Sequence, residues 1–406
     1  MDKRVAIFKT YPELFLTLPI SLISLLIIIL LRPFIKIKIY LVRSNRIGHF
    51  AADLELHLCE KKELKIKELS IFYFARPACN SQLAKMWKRK LLILPPFFIR
   101  PLDYIIRSVP CLNSFMGTTI NYDRDVLNLY DKYPPQLTFT PQEEVLGKKK
   151  LIEIGIPKGS SFVCLIIRDG RYLNPENDGN SDQKNTYRNS SIKNYSQAAE
   201  NLAALGYFVL RMGALVEQPF PTNNPLVIDY ATNGSRSEFM DIYLGAKCTF
   251  CISTGTGFDA IPNIFRRPIV FVNYSPIEYF FTSRKEYISV TRHYFSTKLN
   301  RYLSLSEILK DGFGIIDSTF SLKQSGVSLK ENTPEEISEV VMEMVERLNG
   351  SWKPEPGDIA LQNKFWEIFK RDSRYIRKDR LGIPIHGEIR ASFGSIFLRK
   401  NPQWLS

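Results

Sequence analysis

From residue 37 onward the chain alternates short apolar runs with longer stretches in which apolar side chains recur every three or four positions. "IKIYLV" (37–42) has the density of a buried strand, "RSNRIGHF" that of a loop, and "AADLELHLCEKK" that of a helix carrying Leu54, Leu56 and Leu58. "ELSIFYFA" (68–75) predicts a second strand and "NSQLAKMWKRKL" another helix. Strands alternating with helices predict parallel sheet built from βαβ units.

A break follows near residues 134–160. "TPQE" at 140–143 puts Thr at an N-cap, Pro at the first helical position and Glu three residues on, the signature of a capped helix start. That helix runs into the turn-rich "GIPKGSS", after which the alternation restarts. "SFVCLIIRDGRYL" (161–173), "YFVLRMG" (207–213), "PLVIDYA" (225–231), "CTFCIS" (248–253) and "PIVFVNY" (268–274) predict strands. "IKNYSQAAENLAALG", "SEFMDIYLGA" and "GFDAIPNIFRR" predict helices between them. The pattern predicts two Rossmann-like α/β halves. The last stretch is helical: "PEEISEVVMEMVERLNG" (334–350), then "IALQNKFWEIFKRD". The expected division is an anchor at 1–34, a first domain at 35–150, a second at 151–350, and terminal helices at 351–406 that cross back to the first domain.

The anchor is residues 14–31, "LFLTLPISLISLLIIILL", an uncharged run with Lys3, Arg4 and Lys9 before it and Arg32, Lys36 and Lys38 after it. Its length is about the minimum for a spanning helix. No small-residue cleavage site follows, which disfavours a signal peptide. Pro19 and the cations on both sides leave a helix lying in the interface as open as one that crosses. Residues 85–110, "KMWKRKLLILPPFFIRPLDYIIRSVP", mix cations with bulky apolar groups and suit either an anionic membrane surface or a core helix with solvated lysines.

Composition narrows the partners. With 406 residues, 45% of them hydrophobic, the chain can fill two cores, and its net charge of +14 calls for an anionic partner: nucleic acid, a membrane surface or a phosphorylated small molecule. No helix-turn-helix, RNP or zinc pattern supports nucleic acid. The six cysteines are scattered; Cys248 and Cys251 have the spacing of half a zinc site, but no second pair completes it.

The chemistry concentrates at strand ends. "CISTGTGFDAIPNIFRRPIVFVNY" (251–274) runs from a strand through Ser253, Thr254, Gly255, Thr256 and Gly257 into a helix, a place where freed backbone amides bind phosphate and where open α/β sheets hold ligands; an ordinary βα turn has the same form. No GxxxxGK[ST] is present, which disfavours a P-loop ATPase. Arg168, Asp169 and Arg171 end another strand, Arg211 a third, and Arg188 sits in a polar loop; guanidinium forks match phosphate oxygens. In the first half, Asn45, Arg46, Gly48 and His49 follow the first strand, with Asp53 and Glu55 in the helix behind them; His49, Asp53 and Glu55 are candidates for a general base. "DRD" at 123–125 is a weak candidate for chelating a divalent ion through Asp123 and Asp125.

Taken in order, "RIGHF", "IRDGRYL" with "YRNSSIKNY", "RMG", "VIDYA", "DIYLGAKCTFCISTGTGFDAIPNIFRRP" and "FGSIFLRKNPQWL" make residues 37–406 resemble a family of bacterial glycosyltransferases of surface-polysaccharide loci. The resemblance implies a GT-B arrangement: two Rossmann-like domains facing a cleft, the nucleotide-sugar donor on the second, the acceptor on the first, and no cofactor or catalytic metal. The STGTG turn is similar to the donor-phosphate loop of heptosyltransferases. The family resemblance assigns donor binding to Arg168, Asp169, Arg171, Tyr172, Tyr187, Arg188, Asn189, Arg211, Gly213, Asp229, Tyr230, Asp241, Ser253, Thr254 and Gly255, and a first-domain motif to Asn45, Arg46, Gly48, His49 and Glu55. Gly170 stands where the family tends to have proline. The expected enzyme sits at the cytoplasmic face of the membrane and moves a sugar to a lipid-linked or growing glycan acceptor; the alternative is a catalytically silent sugar- or nucleotide-binding scaffold in a polysaccharide assembly complex.

Overall fold

The computed structural model describes residues 13–74, 76–117, 124–171, 186–373, 378 and 382–406, except for the side chains of residues 13–16. The chain divides into two compact units, Met1–Asp123 with Pro135–Phe139, and Arg124–Pro134 with Thr140–Ser406.

Among its described residues the first unit runs through helix α1 (Glu13–Leu31), β1 (Ile37–Val42), α2 (Ile47–Glu63), β2 (Leu69–Phe74), α3 (Ser81–Lys90) and α4 (Pro96–Ser108). β1 and β2 pair in parallel from Ile37–Leu69 to Val42–Phe74, and single parallel bridges add Met116 beside Ile39 and Ile93 beside Phe72. Parallel pairing requires a crossover, which α2 supplies. Asn80 caps α3 by accepting the Leu83 amide at 2.8 Å. Trp87, fully buried, fixes α3 against α2 by donating its indole N–H to the Phe50 carbonyl at 3.0 Å. Leu25 and Ile28 of α1 share a core with Ile37, Ile39, Phe115 and with Ile99, Leu102 and Ile106 of α4. Among the described residues no helix is long and apolar enough to cross a membrane, so the spanning form of the anchor has no support here.

The second unit is organised by a seven-stranded sheet of β3 (Phe162–Ile166), β4 (Phe208–Met212), β5 (Val227–Ile228), β6 (Cys251–Ser253), β7 (Ile269–Tyr274), β8 (Tyr287–Thr291) and β12 (Ser392–Phe393). Every pairing is parallel and the order is β12-β8-β7-β6-β3-β4-β5. β3, β4, β6, β7 and β8 are buried at every position, as strands covered on both faces must be. Chain order reverses between β3 and β6, so the sheet has its switch point there, where the loops leaving both strands diverge and open a crevice. A small antiparallel sheet of β9 (His293–Ser296), β10 (Arg301–Tyr302) and β11 (Val327–Lys330) stands apart from it.

Two expected boundaries move. Helix α5 (Pro141–Ile154) has the capping box of Thr140 and Glu143 that the sequence predicts, but it belongs to the second unit, not the first. Its Glu144 accepts from Lys247 at 2.6 Å and from Tyr243 at 3.2 Å, both on α7 (Glu238–Lys247), the helix after α6 (Ser196–Ala204), and a Cβ at Gly147 would lie 2.2 Å from the Tyr243 ring. The C-terminal stretch likewise belongs to the second unit, not to a separate segment. The reason is aromatic packing: Phe365 lies 4.3 Å from Phe393 between ring centroids, and Phe393 lies 5.4 Å from Trp404, so this stretch closes over the β12 edge of its own sheet.

Candidate functional site

The loop after β6 is wound by its own side chains. Ser253 Oγ accepts the Gly255 amide at 3.0 Å and donates to Asp259 at 2.9 Å. The Thr256 amide donates to Asp259 as well. The expectation that free backbone amides carry phosphate binding is therefore corrected at Gly255 and Thr256, whose N–H groups are already used. The helix that follows, α8 (Ala260–Ile264), has five residues, so it adds little dipole. Gly255 is required: its φ is +75°, and a Cβ there would sit 2.8 Å from the Tyr274 ring. What the loop does present is Thr256 Oγ1, which is buried and has no partner.

Cations gather around this loop. The Arg168 amide, just beyond β3, donates to Thr254 Oγ1 at 3.0 Å, tying the ends of β3 and β6 together across the switch point. Arg188 donates to the Gly255 carbonyl. Arg292, just beyond β8, donates to the Asn189 carbonyl at 2.6 Å and Ser190 Oγ at 2.8 Å, and so holds the turn that carries Arg188. None of the three forms an ion pair among the described residues, and the Nε atoms of Arg168 and Arg188 are buried without partners. Burial, then repulsion from Arg188, lowers the Arg168 guanidinium to about 10. Arg292 is lowered by burial too, with Arg188 among the opposing charges. The one buried carboxylate at the loop, Asp259, is raised to about 6 by burial, against the hydrogen bonds it accepts. Positive charge around this loop is therefore left without an ion-pair partner among the described residues.

Other predicted donor residues are elsewhere in the unit or differently engaged. Arg211, 1% exposed, pairs with Asp229 at 3.1 Å and Asp169 at 3.6 Å; it is corrected from a phosphate clamp to the centre of an internal ion-pair network. Asp229 also accepts the Phe220 amide at 2.8 Å and Thr232 Oγ1 at 2.6 Å. Tyr230 is buried against Asp241 and Ser237, and Asp241 pairs with Arg236 at 2.7 Å. Gly213 lets Val216 approach, since a Cβ would lie 2.5 Å from it. Asp169 accepts the amides of Arg171 at 3.1 Å and Glu217 at 2.9 Å; Arg171 and Gly257 are exposed. The Gly170 amide is held by Glu217 at 3.1 Å. Tyr187 is buried, its amide bonded to Thr319 at 3.0 Å. Tyr172 and Asp123 lie outside the described residues. Asp125 is spent on the helical turn Leu129–Lys132, accepting the amides of Leu129 at 2.7 Å and Tyr130 at 3.0 Å, which removes it as a chelator. Among the described residues no three His, Cys, Asp or Glu side chains are placed to hold a metal ion.

In the first unit α2 separates the base candidates. His49 Nδ1 lies 3.3 Å from Asp53 one turn later; the histidine is 32% exposed and the aspartate 4%. An accessible imidazole backed by a buried carboxylate is a base with its orienting partner. Glu55 is fully buried and accepts the Gln136 amide at 3.1 and 3.2 Å, so it is corrected to a structural acceptor. Asn45 and Arg46 are exposed where the chain enters α2, and Gly48 is half-buried in its first turn.

Two residues of this cluster escaped the sequence reading. Arg292 ends the apolar run "YISVT" as Arg168 ends "FVCLII", so the same signal was present. Asp259 stands six residues after Ser253, directly before α8, where an acidic residue at a helix start was the available signal.

No protein-family model matches the chain, and no curated protein matches it. Its structural neighbours are glycosyltransferases. A glycosyl transferase family 9 structure from Veillonella parvula is 13% identical with a TM-score of 0.45, covering 78% of this chain and 98% of that one. The ADP-heptose LPS heptosyltransferase II of E. coli is 12% identical with a TM-score of 0.39, covering 63% and 90%. The E. coli heptosyltransferase WaaC, with ADP-2-deoxy-2-fluoro heptose, is 12% identical with a TM-score of 0.27, covering 58% and 88%.

Proposed function

We propose that the protein is a glycosyltransferase whose second unit binds the diphosphate of a nucleotide-sugar donor at the switch point between β3 and β6. The observation that carries this reading is the group formed by half-buried Arg168 and Arg188 and buried Arg292, without an ion pair among the described residues, around a loop with an unpartnered Thr256 hydroxyl. A diphosphate supplies the missing negative charge, and its oxygens fit the guanidinium forks of Arg168 and Arg188. Arg292 acts at one remove by fixing the Arg188 turn.

Transfer of a sugar breaks the bond between its anomeric carbon and the diphosphate oxygen, while an acceptor hydroxyl forms the new bond. Negative charge grows on the departing diphosphate, where Arg168, Arg188 and Thr256 Oγ1 stabilise it. The acceptor proton passes to a base, and within the first unit His49, oriented by Asp53, is the pair suited to take it. The acceptor is a lipid-linked or growing glycan at the cytoplasmic face of the membrane, where nucleotide sugars are available.

Release of nucleoside diphosphate from UDP-, GDP- and ADP-sugars, with and without added glycan acceptor, tests this. The reading requires turnover with one donor that depends on acceptor. Binding of a donor with no turnover under any acceptor would instead support the silent scaffold.

A further inference from the structure

We propose that the outward faces of α1 and α4 form one docking surface for an anionic bilayer, entered to headgroup depth and not spanned. The inference goes beyond the anion site and does not depend on it.

α1 has a single buried stripe, Thr17, Ser21, Leu25 and Ile28, spaced three and four residues apart. From Leu18 to Leu31 the other side chains are exposed, with Ser24 alone half-buried. Leu22, Ile23, Leu26, Ile27 and Leu30 are 51, 61, 57, 50 and 64% exposed, and Phe34, just past the helix, is 85% exposed. α4, the helix it packs on, adds Phe97 and Phe98 at 45% each. An apolar surface of this extent marks an interaction site.

Charge identifies the occupant. Residues 14–31 contain no charged side chain. Arg32 and Lys36 are exposed directly after α1, and Lys88, Arg89 and Lys90 are exposed in the turn of α3 that leads to α4. Leucine, isoleucine and phenylalanine bordered by cations match hydrocarbon beneath anionic headgroups. Pairing this face with a second copy would instead bring the two sets of cations together.

Packing sets the depth. Between Thr17 and Ile28, about 16 Å of helix at ~1.5 Å per residue, the buried stripe keeps α1 on the globular unit. α4 carries Asp103, bonded to Arg107 at 2.6 Å and to Tyr73 at 2.7 Å. Drawing α1 across the bilayer would take this ion pair into hydrocarbon, where charged groups are costly. Only the outer face enters.

The test uses the full chain, purified in mild detergent, diluted and floated with phosphatidylcholine vesicles containing or lacking a quarter of phosphatidylglycerol. Flotation is expected with the anionic vesicles, weakened by high salt and weakened about fivefold by each of Arg32→Ser and Lys36→Ser. The variant Ile23→Glu/Leu26→Glu/Leu30→Glu should not float, while its circular dichroism and its thermal response to nucleoside diphosphates match the wild type. In Leu26→Trp, quenching by lipid brominated near the headgroup should exceed quenching by lipid brominated deep in the chain. Equal flotation on neutral vesicles, flotation unaffected by the triple substitution, stronger deep quenching, or a homodimer that the triple substitution dissociates while vesicles are never bound would each overturn the proposal. Vesicle binding in a protein that ignores all nucleoside diphosphates would leave this surface standing and remove the donor-site reading.

Discussion

Replacing Arg168 with Gln should make the protein more stable and less able to bind its ligand. Arg168 is held at about 10 by burial and by Arg188, against an ordinary value of about 12.5. The folded state thus holds this proton less tightly than the unfolded chain, so the charge costs stability at every pH below about 10. At ~1.4 kcal/mol per tenfold change in proton affinity the cost is about 3 kcal/mol, and screening of the exposed part of the side chain reduces it to about 1–2 kcal/mol. Removing the charge should return that energy, raising Tm by roughly 2–6 °C for a unit of this size. The same substitution deletes a charge-assisted contact to phosphate worth about 1.5–3 kcal/mol, so nucleoside diphosphate affinity should fall about tenfold to a hundredfold. Thermal unfolding at pH 7.5 with UDP, GDP, ADP and CMP reads both effects, since a ligand at a hundred times its Kd stabilises the wild type by about 2.7 kcal/mol. A variant that melts several degrees lower yet keeps the full ligand response would refute the reasoning, because Arg168 would then be a structural residue.

His49→Ala should bind donor normally but lower kcat by about a hundredfold or more, whereas Glu55→Gln should leave kcat intact and lower stability by about 1–3 kcal/mol, as expected for a buried acceptor of a backbone amide. Gly255→Ala, which forces a left-handed backbone and a contact with Tyr274, should lower stability by about 1–2 kcal/mol and abolish the thermal response to nucleoside diphosphate. Asp259 is raised to about 6, so the fold binds its proton more tightly than the unfolded chain does. Its contribution to stability is greatest below about pH 4 and declines as pH rises through 6; Asp259→Asn should remove that slope from a series of melting curves, and an unchanged slope would assign it to other groups.

The strands of the second unit were legible because a parallel sheet covered on both faces needs runs such as "FVCLI" and "IVFVNY" with hardly a polar residue. The capping box at Thr140 was legible for the same local reason, but the helix it starts belongs to the second unit because of Glu144 and Gly147, whose partners lie about a hundred residues away on α7. The candidate site was half legible. Arginine at the end of an apolar run found Arg168 and would have found Arg292; it also gave Arg211, whose partner Asp229 is positioned by a neighbouring strand and not by local sequence. Glu55 could have been set aside from spacing alone, since residues four apart share a helix face and residues six apart do not. The use of the Gly255 amide by Ser253 is a local turn in which a serine hydroxyl accepts the amide two residues on, and Asp259 lies only six residues after that serine, so both were within reach of local reading.

The most direct test of the donor site is a crystal structure of the full chain with the nucleoside diphosphate that stabilises it best. The account predicts the diphosphate beyond β3 and β6, with its oxygens on the guanidinium groups of Arg168 and Arg188 and within hydrogen-bond reach of Thr256 Oγ1. A diphosphate bound elsewhere, with those two arginines still unpaired, would contradict it.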